Sequence, residues 1–436
     1  MKQAVILAGG KGTRLRERLG NKPKPLVDVC GLPLLLRQLQ KLADFGFEQA
    51  IILVNHRADA IEHYIESTAL RIQCRIIDDG RPRGTAGAVL AIMEELEETF
   101  LVVYGDTLFD VDLDRFLRFH QTMRSAASLL VHPNDHPEDS DLVELDDEQK
   151  ILAFHNYPHP TQSWYPNLVN AAMYFVQKST LTEYKSWTPP LDFAKDLFPR
   201  MIREGKALAG YVSSEYIKDI GTPERLDKAE AAMRRGVVER ASFRFAQRAV
   251  FIDRDGTVNQ PNGHIARPED LSVFPFVPKA LRRLNDSDYR TVLVTNQPVV
   301  ARGEATLAQL RRIHGRLDSE VATEKSYFDA KYICPHHPDK GFAGEIASLK
   351  VSCNCRKPSP GLVLRAIEEM NIDPRKSWLI GDSTADFGAA TNAGIRSIGV
   401  RTGDGCQDAR YPFQPDIIVD DFSAAVDYIL EATNDH

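Results

Sequence analysis

Short apolar runs alternate along the chain with longer segments in which apolar residues recur every three or four positions. The short runs predict buried parallel strands, and the longer segments predict amphipathic helices that cover the sheet. The predicted strands are 3–8, 49–54, 72–77, 100–104, 248–252, 290–294, 377–380 and 397–400. The predicted helices are 33–46, 57–67, 85–97, 223–240, 276–285, 305–322 and 360–371. This alternation predicts the α/β fold class, with doubly wound, Rossmann-like sheets.

The strand–helix alternation restarts after residue 240, and it therefore predicts two domains. We expect a first domain at residues 1–240, a linker at 241–247 and a second domain at 248–436. Residues 132–168 are richer in Pro, His and Asp than their surroundings, and we interpret them as a lid or an insertion. A chain of 436 residues is long enough for two separate hydrophobic cores.

Composition and charge narrow the class of partner. A net charge of −7 without a basic stripe disfavours binding to nucleic acid or to an anionic membrane. No apolar run approaches the ~18 residues of a membrane span, and the pattern of a signal peptide is missing at the N-terminus. We therefore expect a cytoplasmic enzyme that acts on small molecules, and the sequence leaves open whether it forms a homo-oligomer.

A glycine-rich loop follows the first predicted strand. Gly9, Gly10 and Gly12 let backbone amides approach a phosphate without obstruction by a Cβ atom, and Thr13 belongs to the same loop. Arg14 adds a charged fork that suits phosphate oxygens. The loop therefore indicates phosphate binding.

Three further segments of the first half carry candidate binding residues. Lys24 lies between two prolines on a stiff segment, and Gly84, Thr85 and Gly87 form a small-residue turn suited to a flat base or a sugar. Asp106 ends a predicted buried strand, and Asp219 is a second candidate carboxylate. Carboxylates at such positions suit a magnesium ion.

The segments LAGGKGTRL, PKPL, RGTAGA, GD and DIGTPE occur in this order over roughly residues 1–235. This set resembles the sugar-1-phosphate nucleotidyltransferases. The resemblance implies in-line attack of a sugar 1-phosphate on the α-phosphorus of a nucleoside triphosphate, with release of pyrophosphate. It implies phosphate neutralisation by Arg14 and Lys24, and magnesium binding by Asp106 with Asp219. Asn170 and Lys195 resemble the family's sugar-side and phosphate-side contacts.

The second half opens with two carboxylates at the end of a predicted strand. Asp253 and Asp255 are two positions apart, so both side chains can point to the same side. This geometry suits one carboxylate as a nucleophile and its neighbour as a general acid and base.

The second half resembles the phosphatases of the haloacid dehalogenase type. Its DRDGT segment is followed in order by Thr295-Asn296-Gln297, Arg356-Lys357-Pro358 and Gly381-Asp382. The resemblance implies that Asp253 forms an aspartyl-phosphate, that Asp255 is the acid and base, and that Thr295 and Lys357 stabilise the phosphoryl group. It implies magnesium ligands on Asp253, Asp382 and the backbone carbonyl of Asp255, with Asp386 in the next shell. Asn296, Arg302 and Arg356 are the candidate substrate contacts.

A cluster of cysteine and histidine residues predicts a structural zinc site. Cys334, His336, Cys353 and Cys355 offer three thiolates and one imidazole for tetrahedral zinc, and we interpret His337 as a neighbour. The loop runs directly into Arg356 and Lys357, so zinc would brace the phosphate site. The alternative is a set of reactive cysteines without metal.

The substrate expectation combines resemblance with the fusion of the two halves. Within its family, the second half resembles the D,D-heptose 1,7-bisphosphate 7-phosphatases and the histidinol-phosphate phosphatases. Residues 263–268 and 275–281 favour the heptose enzymes, whereas Pro298-Val299 departs from the Ser-Gly pair that those enzymes usually carry. Removal of the 7-phosphate leaves heptose 1-phosphate, which the first half can activate. We expect a GTP-dependent heptose 1-phosphate nucleotidyltransferase.

Two alternatives stay open from the sequence. The first half can act on another sugar 1-phosphate with UTP, CTP or dTTP, beside a phosphatase for histidinol phosphate or another phosphomonoester. The other alternative is that one half is a regulatory module without catalytic activity.

Overall fold

The computed structural model describes residues 1–434 apart from 11, 21, 56, 161–162 and 189. The chain divides into two compact units. The first unit contains residues 1–131, 143–156 and 170–242, and the second contains residues 132–142, 157–169 and 243–436. Two segments from the middle of the first half therefore fold with the second unit.

The first half contains thirteen described strands and eight described α-helices. The strands are β1 Gln3–Leu7, β2 Asp28–Val29, β3 Leu32–Pro33, β4 Gln49–Val54, β5 Gln73–Asp78, β6 Thr99–Tyr104, β7 Thr107–Asp110, β8 Ala127–His132, β9 Leu142–Leu145, β10 Ile151–His155, β11 Val169–Gln177, β12 Leu208–Val212 and β13 Tyr216–Asp219. The helices are α1 Arg16–Leu19, α2 Leu34–Asp44, α3 Ala58–Glu66, α4 Thr85–Ala91, α5 Leu113–Met123, α6 Phe198–Arg203, α7 Pro223–Arg234 and α8 Val237–Arg240.

The main sheet of the first half is mixed. Its path is β10-β9-β11-β6-β1-β4-β5, with β8 and β12 added beside β11. Strands β6, β1, β4 and β5 run parallel, whereas β11 runs antiparallel to β6. The central strand β1 buries Ala4, Val5 and Ile6 completely because helices cover both faces of the sheet.

The second half contains one parallel sheet. Its strands are β14 Arg248–Ile252, β15 Tyr289–Asn296, β16 Ala330–Cys334, β17 Trp378–Gly381, β18 Arg396–Val400 and β19 Ile417–Val419. Its helices are α9 Val277–Asn285, α10 Leu307–Ala322, α11 Gly361–Met370, α12 Thr384–Ala393 and α13 Phe422–Asn434. The strand order is β16-β15-β14-β17-β18-β19, and every pair is parallel.

The predicted α/β class with doubly wound sheets is confirmed, and the boundaries differ at a few elements. The predicted helix 223–240 is interrupted because Gly236 adopts a φ of +68°, which ends α7 and allows α8 to begin. The predicted helix 85–97 ends at Ala91 and is followed by a separate 3-10 turn at Met93–Glu95. No helix among the described residues is long and apolar enough to cross a membrane.

Candidate active sites

The glycine-rich loop follows β1, at the edge of the sheet where the parallel strands of the first unit have their carboxyl ends. Gly9 and Gly10 line a cleft of about 370 Å³ at this edge. Gly12 has a φ of +60°, and a Cβ atom there would lie 2.8 Å from Leu19 Cδ1 and 3.0 Å from Lys24 Cβ. Only glycine fits this position without strain.

Lys24 and Asp106 form an ion pair in this cleft. Lys24 begins a 3-10 turn after Pro23, and its Nζ donates to Asp106 Oδ2 at 2.5 Å. The side chains of Lys24 and Asp106 are 13% and 30% exposed. The pair is therefore accessible to a charged ligand from solvent.

Asp219 lies next to Asp106 because strand β13 pairs antiparallel with β7. The amide of Ile220 donates to the carbonyl of Asp106 at 2.9 Å. Burial raises the pKa of Asp219, but hydrogen bonds from Arg225 at 2.6 and 2.7 Å outweigh burial and hold that pKa below its usual value. The two predicted magnesium carboxylates therefore lie at the ends of adjacent strands, and each is paired with a cation.

The far side of the cleft contains the predicted small-residue turn. Gly84 has a φ of +75°, and a Cβ atom there would lie 2.2 Å from the Leu191 carbonyl oxygen. The Thr85 hydroxyl donates to Asp192 at 2.8 Å. Gly84 and Thr85 line the cleft, whereas Gly87 is buried within α4.

Sequence reasoning missed three polar residues that line the same cleft. Asn55 follows β4, Asp79 follows β5, and Arg83 precedes the small-residue turn. The Asn55 amide donates to Asp79 Oδ1 at 2.7 Å. The available signal was their position, since polar residues directly after parallel strands lie at the ligand-binding edge.

Four predicted contacts of the first half are not part of the cleft lining in the described chain. Arg14 and Lys195 are exposed, and Lys195 lies in the short π-helical turn Phe193–Leu197. The Asn170 amide donates to the Tyr174 hydroxyl at 3.0 Å. The side chain of Thr13 lies outside the described part of the structure.

A buried ion-pair network forms the centre of the second unit. Asp253 directly follows β14, and Lys357 Nζ donates to Asp253 Oδ1 at 2.6 Å and to Asp386 Oδ1 at 2.5 Å. The same ammonium group donates to the Val294 carbonyl at 2.9 Å. Asp253, Lys357 and Asp386 are 8%, 4% and 0% exposed. The predicted phosphate-site lysine therefore contacts the predicted nucleophile directly.

Three carboxylates converge at this network. Asp253, Asp382 and Asp386 each place one oxygen within 4.8 Å of the others. Burial and the neighbouring carboxylates raise the pKa of Asp253 and of Asp382. One lysine cannot neutralise three buried carboxylates, so the oxygen-only donor set fits a divalent cation such as magnesium.

Two glycines hold Asp382 in place. A Cβ atom on Gly256 or Gly403 would lie 2.1 or 1.9 Å from Asp382 Oδ2. Both glycines have positive φ values, +83° and +62°. The backbone amide of Asp404 donates to the same oxygen at 2.6 Å. This close backbone approach fixes the carboxylate before any ligand binds.

Asp255 points into a separate hydrogen-bond network. Arg254, which is only 1% exposed, donates to both Asp255 oxygens at 2.8 and 2.9 Å. Asn259 and Gln297 add bonds of 3.1 and 2.8 Å. Burial raises the pKa of Asp255, but these donors, chiefly Arg254, lower it below the usual value. Sequence reasoning assigned no role to Arg254 or Gln297.

The remaining predicted phosphatase residues surround this core. Thr295 is fully buried and accepts a hydrogen bond from Gln297 at 2.8 Å. Asn296 exchanges two 3.0 Å hydrogen bonds with the backbone of Lys357. The Arg356 guanidinium donates to the carbonyl of His336, and the Arg302 guanidinium lies 4.4 Å from the Phe342 ring centroid.

The four predicted zinc ligands come together in the second unit. The three sulfur atoms are 3.2, 3.3 and 3.6 Å apart, and His336 Nδ1 lies 3.3 Å from Cys355 Sγ. This spacing and the soft donor set fit tetrahedral zinc. His337 points elsewhere, since its Nδ1 accepts from the Asp339 amide and its Nε2 faces Arg302.

Family models match both halves of the chain. The nucleotidyl transferase model matches residues 3–236, more than half of the chain, and a HAD-hydrolase-like model matches residues 354–425. The chain therefore belongs to the nucleotidyl transferase family, and its second half is a phosphatase domain of the HAD class.

Individual proteins are similar to each half of the chain. The chain is 40% identical over 156 residues to the D-glycero-beta-D-manno-heptose-1,7-bisphosphate 7-phosphatase of Yersinia pestis, covering 36% of this chain and 81% of the relative. It is 29% identical over 262 residues to the mannose-1-phosphate guanylyltransferase of Mycobacterium tuberculosis, covering 59% of this chain and 71% of the relative. The crystal structure of D,D-heptose 1.7-bisphosphate phosphatase from B. bronchiseptica, complexed with magnesium and phosphate, is 31% identical, with 43% of this chain and 99% of that chain covered and a TM-score of 0.38.

Proposed function

We propose that the chain is a bifunctional enzyme of nucleotide-activated heptose synthesis. The second unit hydrolyses the 7-phosphate of D-glycero-D-manno-heptose 1,7-bisphosphate, and the first unit then transfers GMP from GTP to the heptose 1-phosphate. The observation that carries the proposal is the contact of Lys357 with Asp253 in the buried carboxylate cluster. The 40% identity to a heptose bisphosphate phosphatase supports the substrate.

In the phosphatase reaction, a carboxylate oxygen of Asp253 attacks the phosphorus of the 7-phosphate and the bond to the sugar oxygen breaks. Lys357 and Thr295 stabilise the charge that develops on the phosphoryl oxygens. Asp255 gives its proton to the departing sugar oxygen. Asp255 then accepts a proton from the water that attacks the aspartyl-phosphate, which releases phosphate and restores Asp253. The hydrogen bonds from Arg254 favour the ionised Asp255 that accepts this proton, so the first step proceeds through the less populated protonated form of Asp255.

In the transferase reaction, an oxygen of the sugar 1-phosphate attacks the α-phosphorus of GTP and pyrophosphate leaves. The backbone amides at Gly9 and Gly10 and the ammonium group of Lys24 bind the phosphates. The polar groups of Asn55 and Asp79 border the cleft that would receive the base. The relative that is a guanylyltransferase supports GTP as the donor.

Metals support both reactions under this proposal. Asp253, Asp382 and the backbone carbonyl of Asp255 would hold magnesium in the second unit, with Asp386 beside them. Asp106 with Asp219 would hold it in the first. Bound magnesium supplies a positive charge that stabilises phosphoryl oxygens. Zinc on Cys334, His336, Cys353 and Cys355 would order the loop that leads to Arg356 and Lys357.

A coupled assay tests the proposal. Purified protein receives magnesium and heptose 1,7-bisphosphate, and phosphate and then pyrophosphate are followed with each of GTP, UTP, CTP, dTTP and ATP. We expect phosphate release first and GTP-dependent pyrophosphate release second. Asp253→Asn should remove both, because no heptose 1-phosphate forms, whereas Asp106→Asn should remove only the second. Absence of phosphate release, with histidinol phosphate hydrolysed instead, would contradict the heptose assignment. Pyrophosphate release with another nucleotide would contradict the choice of GTP.

A further inference from the structure

Helix α10 of the second unit carries a glycine where a helix does not favour one. Gly315 lies in the middle of the helix Leu307–Ala322, and a mid-helix glycine costs about 1 kcal/mol relative to alanine. A Cβ atom at this position would lie 2.9 Å from the backbone carbon and oxygen of Trp164 and from the backbone carbon of Tyr165. The glycine is therefore needed for a close backbone approach.

The segments that approach α10 are residues 132–142 and 157–169, which we call the arm. Both belong to the second unit, although they lie in the first half of the sequence. The Asn167 side chain holds the two segments together, since it accepts from the Asn134 amide at 3.1 Å and donates to the Asn134 carbonyl at 2.7 Å.

The arm is tied to α10 by buried polar contacts. One turn after Gly315, Asp318 is 2% exposed, and its Oδ2 accepts from the Asn167 amide and from Lys331 Nζ, both at 2.8 Å. The Arg316 guanidinium lies 5.3 Å from the Trp164 ring centroid. Hydrogen bonds to a buried carboxylate are directional, so they fix the arm at one place along the helix.

The contact is not packed throughout. A cavity of about 540 Å³ lies between the arm and α10, with Tyr157, His159 and Tyr165 on one side and Asp318 and Ser319 on the other. Among the described residues, Asp318 Oδ1 and His159 Nε2 have no hydrogen-bond partner. A polar contact with unfilled space is less costly to open than a close-packed core.

His314, the residue next to Gly315, connects helix α10 to the phosphatase site. His314 is 4% exposed, and its Nε2 accepts a hydrogen bond from the Arg254 guanidinium at 3.2 Å. The other nitrogens of Arg254 hold both oxygens of Asp255. His314, Gly315 and Asp318 belong to one rigid helix, so a shift of α10 moves the acceptor that orients Arg254.

We propose that the arm is a positioning element for the phosphatase reaction: by seating α10 through Gly315 and Asp318, it holds His314 against Arg254 and thereby orients Asp255. This inference rests on the proposed role of Asp255 as the acid and base. His314 and Arg254 are positioning residues, because they act on the reaction only through Asp255. The inference predicts that release of the arm lowers turnover without weakening substrate binding.

Gly315→Ala is the first test. The substitution strengthens the helix by its own propensity, but its Cβ atom collides with the arm backbone. We expect faster hydrogen exchange at residues 164–167 and a roughly tenfold lower phosphatase kcat with unchanged KM, part of the acceleration that a general acid supplies. Arg312→Ala, on the exposed face of α10, is the matched control and should change neither quantity. The proposal is overturned if hydrogen exchange at residues 164–167 is unchanged in Gly315→Ala, or if that exchange is faster while kcat is unchanged.

Substitutions of His314 form the second test and leave the arm contact intact. His314→Leu removes the acceptor for Arg254, and we expect a similar loss of kcat with normal exchange at residues 164–167. His314→Gln keeps an acceptor oxygen and should retain most of the activity. The double variant with Gly315→Ala should lose no more than the larger single loss, because both act on one contact. Additive losses, or a fully active His314→Leu variant, overturn the proposal.

The choice of substrate separates this inference from the proposed function. Both heptose 1,7-bisphosphate and β-glycerophosphate, whose alkoxide leaving group also needs a proton, are assayed with the full-length chain. Hydrolysis of β-glycerophosphate alone by the unmodified protein contradicts the heptose assignment, and the arm variants are then compared on that substrate.

Discussion

The two candidate sites hold their charges in different ways. In the second unit, Asp253, Lys357 and Asp386 are almost completely removed from solvent and bonded to one another. In the first unit, Lys24 and Asp106 form a partly exposed pair at the edge of an open cleft. Electrostatic interactions strengthen as water is excluded. The phosphatase site is therefore assembled before its substrate arrives, although the charge of its three carboxylates exceeds that of Lys357. In the transferase cleft, Asp106 and Asp219 are each already paired with a cation, and the pair of Lys24 with Asp106 stays open to solvent.

The comparison predicts that the two activities can be removed separately. Asp253→Asn removes the nucleophile, and we expect phosphate release to fall roughly ten-thousand-fold or more. Pyrophosphate release from GTP and heptose 1-phosphate supplied directly should stay within about twofold, which the two product assays measure side by side. The reciprocal variant Asp106→Asn is the matched control. Loss of both activities in either variant would mean that the sites are not independent.

Removal of zinc should damage the preassembled site selectively. The proposed zinc ligands Cys353 and Cys355 closely precede Arg356 and Lys357, so a disordered loop would displace the lysine that contacts Asp253. We expect a strong chelator to release about one zinc per chain and to lower phosphatase activity at least roughly tenfold. Pyrophosphate release, assayed after readdition of magnesium, should persist. A chain that contains no zinc as purified, with full phosphatase activity, would contradict this prediction.

Loss of Lys357 should destabilise the fold far more than loss of Lys24. Lys357→Met leaves Asp253, Asp382 and Asp386 buried together without their cation, and breaking such a pair costs about 3–5 kcal/mol. Lys24→Met removes a partly exposed pair, so we expect less than about 1 kcal/mol of stability loss. Its effect should appear in pyrophosphate release, which we expect to fall roughly 100-fold or more. Chemical unfolding and both product assays measure the contrast, and equal destabilisation by the two variants would refute it.

The features of the fold and the two sites that could be predicted are those that depend on residues close together in the sequence. Residues after apolar strands, such as Asp106 and Asp253, were predicted as site residues because the strand pattern itself marks the binding edge of a parallel sheet. The four proposed zinc ligands were predicted because the chemistry of thiolates and imidazole restricts the choice, and the structure brings these four side chains together. Local spacing was sufficient for both.

The features that the sequence did not predict mostly depend on contacts between distant segments. The bonds from Arg254 to Asp255 and from Asn55 to Asp79 need side-chain directions that hydrophobic periodicity does not contain. The arm folds with α10 because of a backbone approach at Gly315, and one glycine in a helical pattern does not identify its partner. Helix α7 ends at Arg234, just before Gly236, because of a local backbone conformation at that glycine that the apolar pattern does not indicate.

A buried titratable group in the first unit sharpens the comparison, because it is accommodated without charge. His120 is fully buried, and burial lowers its pKa from 6.5 to about 4. Its Nδ1 faces the Ser128 hydroxyl at 2.9 Å and its Nε2 accepts from the Gln177 amide at 3.0 Å, an arrangement that suits the neutral ring. His120 is therefore buried as a neutral ring, whereas the buried carboxylates of the phosphatase cluster need a cation to balance their charge.

The pH dependence of stability follows from this lowered pKa. Between pH 6.5 and about 4 the unfolded histidine binds a proton and the folded one does not. The free energy of unfolding therefore falls by about 1.4 kcal/mol for each unit by which the pH is lowered through this range, and His120 has no effect on it at higher pH. His120→Gln, which cannot titrate, is the control, because the difference in unfolding free energy between the two proteins isolates the histidine from the carboxylates that titrate in the same range. We expect this difference, measured by urea unfolding of the full-length chain, to shrink as the pH falls from 7 to 5. A difference that stays constant with pH would show that His120 binds its proton equally well in the folded state.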